Sequence, residues 1–194
     1  MILALGGVLA LTASACSGGT GQASPTTPAP ATTAAPNPDV VPATITVAYV
    51  NAVFKVLNHL NGDAVRVLVS ARKVTPTVKM YLRAVYNDPL YAQELKIAGE
   101  SIAGINANVR RPPGDVVTTV QKLITAAPKC VFVKTNSDYS AVLIHQGNAP
   151  GSEYWVLSPK QMATDPNGLN PTPWALSFNA VYVTPTTIPN QCAG

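Results

Sequence analysis

Cys130-Val131-Phe132-Val133-Lys134-Thr135 decides how the second half of this chain is read. Four of its six residues are apolar and three are β-branched. A run that short, rich in Val and Phe, fits a buried strand better than a turn and a half of helix. Pro128 precedes it, and Asn136-Ser137-Asp138 follows with residues that favour a turn. Working outward, Tyr139–Gln146 is expected to be the next strand, with 147–151 as a loop and Ser152–Leu157 (SEYWVL) as a further strand. Met162–Pro173 is rich in Pro, Gly and Asn and reads as a long loop. Trp174–Thr184 then forms the last strand, with Trp174, Leu176, Phe178, Ala180 and Tyr182 on one face. Upstream, Val116–Thr125 is rich in Val, Thr, Ile and Leu and is joined to the central run by an Ala126-Ala127-Pro128 turn. Strands joined by connections this short pair antiparallel.

The residues before Val116 change period. Val47, Val50, Phe54, Leu57 and Leu60 recur at three- and four-residue steps, which places them on one face of a helix. Asn61-Gly62 reads as its C-terminal stop, with Asp63 capping a second short helix to about Ala71. Thr75-Pro76 pairs a capping hydroxyl with a proline at the first helical position, and Val78, Leu82 and Val85 form the apolar face behind it. Asp88-Pro89 repeats that start signal for a helix reaching about Gly104. Helices first and strands afterwards give an α+β fold, a helical layer on one face of a curved antiparallel sheet. Residues 43–194 are long enough to form one globular domain with a core of its own.

The amino terminus follows other rules. Ile2 to Leu11 is an uncharged apolar run, too short to span a bilayer, which takes about 20 residues. It ends in Ala13-Ser14-Ala15-Cys16. Those four residues resemble the lipobox of bacterial lipoproteins, which implies a signal peptide over 1–15, cleavage after Ala15 and lipidation of Cys16. No Lys or Arg precedes Cys16, so the reading expects translation to start upstream of Met1. An acylated Cys16 would hold the chain on a membrane through buried methylenes, each worth about 0.8 kcal/mol. Residues 16–42 are then a disordered Thr/Pro/Ala-rich tether; the first charged residue of the chain is Asp39. The expected address is extracytoplasmic, on the cell envelope. With Cys16 taken by lipid, Cys130 and Cys192 remain as one pair, and an oxidising compartment favours a disulfide between them. It would close a loop of about 60 residues, for which chain entropy gives roughly 4 kcal/mol.

The order of helices followed by an antiparallel meander resembles the NTF2-like, cystatin-like cone, over about residues 43–184. The segments CVFVKTNSDYSAV (Cys130–Val142) and GLNPTPWALSF (Gly168–Phe178) resemble parts of actinobacterial, mycobacterial-type secreted lipoproteins of that architecture. The resemblance implies an envelope protein with a pocket between helices and sheet, and carries over no catalytic residues. In enzymes of that superfamily the pocket holds a carboxylate with Tyr, or Asp with His. The residues of those types here are Asp138, Tyr139, His145, Glu153 and Tyr154. On alternation, His145 shares a face with Tyr139. Asp138 reads as turn chemistry, Glu153 as a surface partner of Lys134 across two strands, and His59 as a cation suited to the end of the first helix. Tyr139, His145, Trp155 and Trp174 are the candidate pocket residues, with Phe178 and Tyr182 as further wall.

Several chemistries find no residues to carry them. The chain has no GxSxG, HExxH, P-loop or GxGxxG pattern, and two histidines and three glutamates leave few metal ligands. No catalytic residue, metal or cofactor is therefore expected. The net charge of +4 is scattered rather than gathered into an aromatic-interleaved basic patch, so nucleic acid is not an expected partner. The expected partners are the membrane, through Cys16, and an apolar ligand or another envelope protein. The leading expectation is a non-enzymatic, lipid-anchored binding or accessory module. The alternative is an NTF2-like isomerase, dehydratase or hydrolase acting on an apolar small molecule.

Overall fold

A computed structural model describes residues 35–102, 108–145, 152–161, 165–180 and 188–192. The expected signal peptide, Cys16 and the tether to residue 34 lie outside these residues, as do Gly104, Gln146, the 147–151 loop and Tyr182.

Three helices precede four strands: α1 (Val47–Ala71), α2 (Pro76–Val85), α3 (Leu90–Ser101), β1 (Val117–Ala127), β2 (Cys130–Asp138), β3 (Glu153–Pro159) and β4 (Trp174–Ala180). The strands form an open antiparallel sheet in the order β1-β2-β3-β4. The fold is α+β, with the helices packed on one face of the sheet. No described helix is long and apolar enough to cross a membrane.

α1 and α2 start at side-chain caps, whereas α3 begins at Leu90 with none: the expected Asp88-Pro89 cap is absent, because Asp88 pairs with Arg83 at 2.9 Å. Thr46 Oγ1 accepts from the Tyr49 amide at 3.2 Å and Thr75 Oγ1 from the Val78 amide at 3.2 Å, each satisfying a donor the first turn leaves open. The expected stop at Asn61-Gly62 is not one. α1 runs on as one helix and ends at Arg72, whose φ of 53° places it in the left-handed region, with its amide bonded to the Leu68 carbonyl. The reason is packing. An added Cβ at Gly62 would lie 2.1 Å from Asp115 Oδ1, so the glycine is where the chain entering β1 presses on the helix. Asp63 caps nothing; it receives Arg66 at 2.7 Å, one turn along.

The strands differ from expectation in three places. Ala126 and Ala127 stay in β1, pairing with Val131 and Cys130, so the turn is Pro128-Lys129. Asn136-Ser137-Asp138 continues β2, paired with Thr119, Thr118 and Val117. The turn comes two residues later, where Asp138 Oδ1 accepts from the Ser140 amide at 2.8 Å. Consequently no strand forms over 139–145. That stretch turns back on itself, with the Val142 and Leu143 amides on the Tyr139 carbonyl, and makes a single bridge to Val109. In β4 the register shifts opposite Val156 and Leu157. This bulge puts Trp174 and Leu176 with the helices but Phe178 and Ala180 on the opposite face, so the expected single face is split.

Two more register shifts curve β1, after Val120 and after Leu123. Beside β4 the chain leaving α2 adds one parallel bridge, Tyr86 to Leu176, and the Asn87 amide donates to the Leu176 carbonyl at 2.8 Å.

The main core lies between α1, α2 and the sheet, around Val53, Phe54, Leu57, Val133, Leu157 and Trp174. A smaller cluster covers the other face, where Phe132, Tyr154 and Val156 meet Phe178 and Ile188. The expected disulfide is present there. Cys130 and Cys192 are joined with their Cα atoms 5.7 Å apart, and the bridge holds the carboxy-terminal residues against this face.

Candidate functional site

Period-two geometry decides which side chains of β2 and β3 meet the helices. Thr135 pairs with Glu153 and Val133 with Trp155, so Ser137, Thr135, Glu153 and Trp155 all point to the helical side. Lys134 pairs with Tyr154 on the opposite side. The expected surface pair of Glu153 with Lys134 is therefore absent, because the two stand on opposite faces of the sheet. Glu153 is 1% exposed.

A buried carboxylate needs donors, and Glu153 has three. Tyr139 Oη donates to Oε1 at 2.6 Å; Ser137 Oγ and Trp155 Nε1 donate to Oε2 at 2.5 and 3.1 Å. Ser137 Oγ lies 3.1 Å from Thr118 Oγ1, which accepts from Asn58 Nδ2 of α1 at 2.9 Å. This chain of contacts ties helix, edge strand and central strands to one carboxylate.

Beside it lies a cavity of about 190 Å³, enclosed by Phe54 of α1, Val85 at the end of α2, and Trp155 and Leu176 of the sheet. Phe54 meets Trp155 edge-on, with ring centroids 6.5 Å apart. From the helical layer Asn58 and Asn61 of α1, Tyr86 and Glu94 also reach the cavity. Tyr86 is 4% exposed, and among the described residues neither its hydroxyl nor the Glu94 carboxyl has a hydrogen-bond or ion-pair partner. Burial raises the Glu94 carboxyl above its ordinary range. Burial pushes the Tyr86 phenol well up, and the nearby Glu94 and Glu153 carboxylates act in the same direction. No Lys, Arg or His is among the described residues lining the cavity. An electronegative chamber thus sits inside a chain of net charge +4.

The sequence candidates separate accordingly. Tyr139 and Trp155 line the cavity with Glu153. His145 is exposed, and its backbone bonds to the side chain of Asn108. Trp174 is buried in the main core, where its indole donates to Tyr49 Oη at 2.8 Å. Tyr154 lies on the far side of the sheet, with its hydroxyl buried and unbonded among the described residues. Asp138 holds a turn. His59 is mid-helix rather than terminal, because α1 continues past Gly62; its Nδ1 lies 2.8 Å from Asp115 Oδ2.

Glu94, Tyr86 and Ser137 were not foreseen. A signal for Glu94 existed: it falls four residues after Leu90 and four before Ala98, on the stripe that α3 turns toward the core. An acid on an apolar stripe marks a carboxyl drawn partly out of solvent, and Glu94 is half-buried.

Among the described residues no cluster of His, Cys, Asp or Glu has the composition of a metal centre. The site can solvate a charge, hold a small molecule against aromatic and aliphatic walls, and exchange a proton at Glu94. The chain matches no family model, no curated protein and no solved structure.

Proposed function

We propose that this chain is a lipid-anchored protein of the cell envelope, held by an acylated Cys16 and a Pro/Thr-rich tether, whose NTF2-like domain binds a small molecule between its helices and its sheet. One observation carries the binding reading. The cavity of about 190 Å³ sets aromatic and aliphatic side chains (Phe54, Val85, Trp155, Leu176) against an equal share of polar ones, among them an unpartnered phenol and an unpartnered carboxyl. Concavity, apolar and aromatic walls and convergent polar groups that fix orientation are features of ligand sites. The lipobox-like residues and the Cys130–Cys192 disulfide support the envelope location. Native mass spectrometry of the full chain extracted from membranes tests both halves. The expected result is an acylated amino terminus at Cys16 and a small molecule bound noncovalently, with the bound species lost when Leu176→Trp fills the cavity. An unmodified Cys16 removes the anchor, and an empty protein that no small-molecule library shifts in melting temperature removes the binding role.

A second reading is favoured by Glu94 itself. A carboxyl raised by burial and left without a partner suits general acid or base chemistry, as an isomerase or dehydratase requires. Turnover abolished by Glu94→Gln in a protein that still folds would establish it; binding without turnover keeps the first reading.

A further inference from the structure

We infer that the occupant of this cavity is a small organic cation, an alkylammonium seated between the Glu94 carboxylate and the faces of the surrounding aromatic rings. The inference rests on the cavity being a binding site.

The charges come first. Glu94 and Glu153 both face the space, and no basic residue is among the described residues lining it. Glu153 is already served by Tyr139, Ser137 and Trp155. Glu94 is not served by any described group, and burial raises it. An anionic ligand would add a third negative charge in a low-dielectric space, where like charges repel strongly. A neutral apolar ligand would strip the remaining water from Glu94 and return nothing. A cation returns both charge and, where it carries N–H or O–H groups, a donor.

The walls agree. Phe54, Tyr86, Tyr139 and Trp155 surround the same space, and aromatic faces attract ammonium groups, by about 2 kcal/mol when both are desolvated. Tyr86 supplies an independent pointer. It is 4% exposed, and its hydroxyl lacks a partner among the described residues, ready to accept from a ligand hydroxyl or ammonium.

Size limits the head group. At about 30 Å³ per water-sized group, a volume of about 190 Å³ admits roughly six such groups, the scale of a trimethylammonium with a short arm. A second hollow of about 220 Å³ adjoins at Glu94, walled by Leu68, Val78, Leu82 and Ile97. An alkyl arm leaving the cation would lie there.

Isothermal titration of the full-length protein with choline and with 3,3-dimethylbutan-1-ol, its uncharged carbon isostere, tests the inference. Choline is expected to bind tighter by about tenfold or more, the ratio corresponding to about 1.4 kcal/mol. Glu94→Gln is expected to erase that preference, and Tyr86→Phe to weaken choline binding while the melting temperature stays near that of the parent. Equal or tighter binding of the alcohol overturns the inference and leaves the cavity a site for neutral ligands. Binding of neither compound overturns the inference; in that case the broader library screen decides whether the cavity binds anything. A choline preference that survives Glu94→Gln also overturns it, because the cation would then sit elsewhere.

Discussion

Gly62 and Asp115 occupy the same corner of the fold: a methyl group on the glycine would stand 2.1 Å from a carboxylate oxygen of the aspartate. Arg66 holds that carboxylate at 2.8 Å and His59 at 2.8 Å. Burial alone would raise the Asp115 carboxyl, but the hydrogen bonds and charges of Arg66 and His59 outweigh it and lower it below its ordinary range. A carboxyl depressed in the folded state adds stability above its unfolded pKa and loses it as pH falls through the folded one. Gly62→Ala gains about 1 kcal/mol of helix propensity but displaces Asp115 from Arg66. The variant is therefore expected to exceed the parent in stability at acid pH, where the ion pair is lost in both, and to lose that advantage near neutrality. Urea denaturation from pH 2 to 7 checks the crossing.

Glu94 has the opposite sign. Its carboxyl is raised in the folded state, so it favours folding below its unfolded pKa and disfavours it increasingly as pH rises through the folded one. The titratable groups sharing its cavities are Tyr86, Tyr139 and Glu153, none of them able to compensate a negative charge with a positive one; the other polar lining groups are neutral amides and hydroxyls such as Asn61 and Ser101. Glu94→Gln is expected to melt higher than the parent at pH 7 and close to it at pH 4. A lower melting temperature at pH 7 would mean that the charge has a compensating partner.

Two hydroxyls on opposite faces of the sheet should respond in opposite directions. Ser137→Ala removes a donor from buried Glu153 and a partner from Thr118, and is expected to cost about 1–3 kcal/mol. Tyr154→Phe removes a buried hydroxyl that has no partner among the described residues, and is expected to be neutral or stabilising by up to about 1 kcal/mol. Paired denaturation curves of the two variants measure the contrast.

The disulfide closes 62 residues. Replacing both cysteines by serine is expected to lower stability by about 2–4 kcal/mol, the usual range for loops of this size. The parent with dithiothreitol should melt alongside the double variant without it.

The legibility of this chain follows the range of the forces involved. Thr75 and Pro76 act within one turn of helix, and α2 begins where those residues imply. Cys130–Thr135 carries its own β-branched and aromatic signal and is the core strand. Gly62 and Asn136-Ser137-Asp138 read as breaks because local propensity is all that a window of a few residues contains. Gly62 sits inside a helix whose Leu60 and Ala64 are buried in the core, with Asp115, far along the chain, packed against it; Ser137 is paired in a strand and bonds Glu153 and Thr118. The bulge at Ser177 inverts the facing of Phe178, and alternation counted along β4 has no means of registering an inserted residue. The candidate site was half legible for the same reason. Tyr139 and Trp155 are legible as pocket residues on expected strands, but the facing of Glu153 depends on the register of its neighbours, and Glu94 enters from the helical layer.

The two margins of the sheet are closed by different means. Along β1 the paired shifts after Val120 and Leu123 bend the outermost ladder around Lys122, and along β4 the Tyr86–Asn87 backbone occupies the carbonyl of Leu176. A neighbouring molecule looking for a straight run of unpaired amides finds a kinked border on one flank and a partly sealed one on the other. Copies crowded together at high local density would on this account resist strand-to-strand aggregation, without any charged fringe dedicated to keeping them apart.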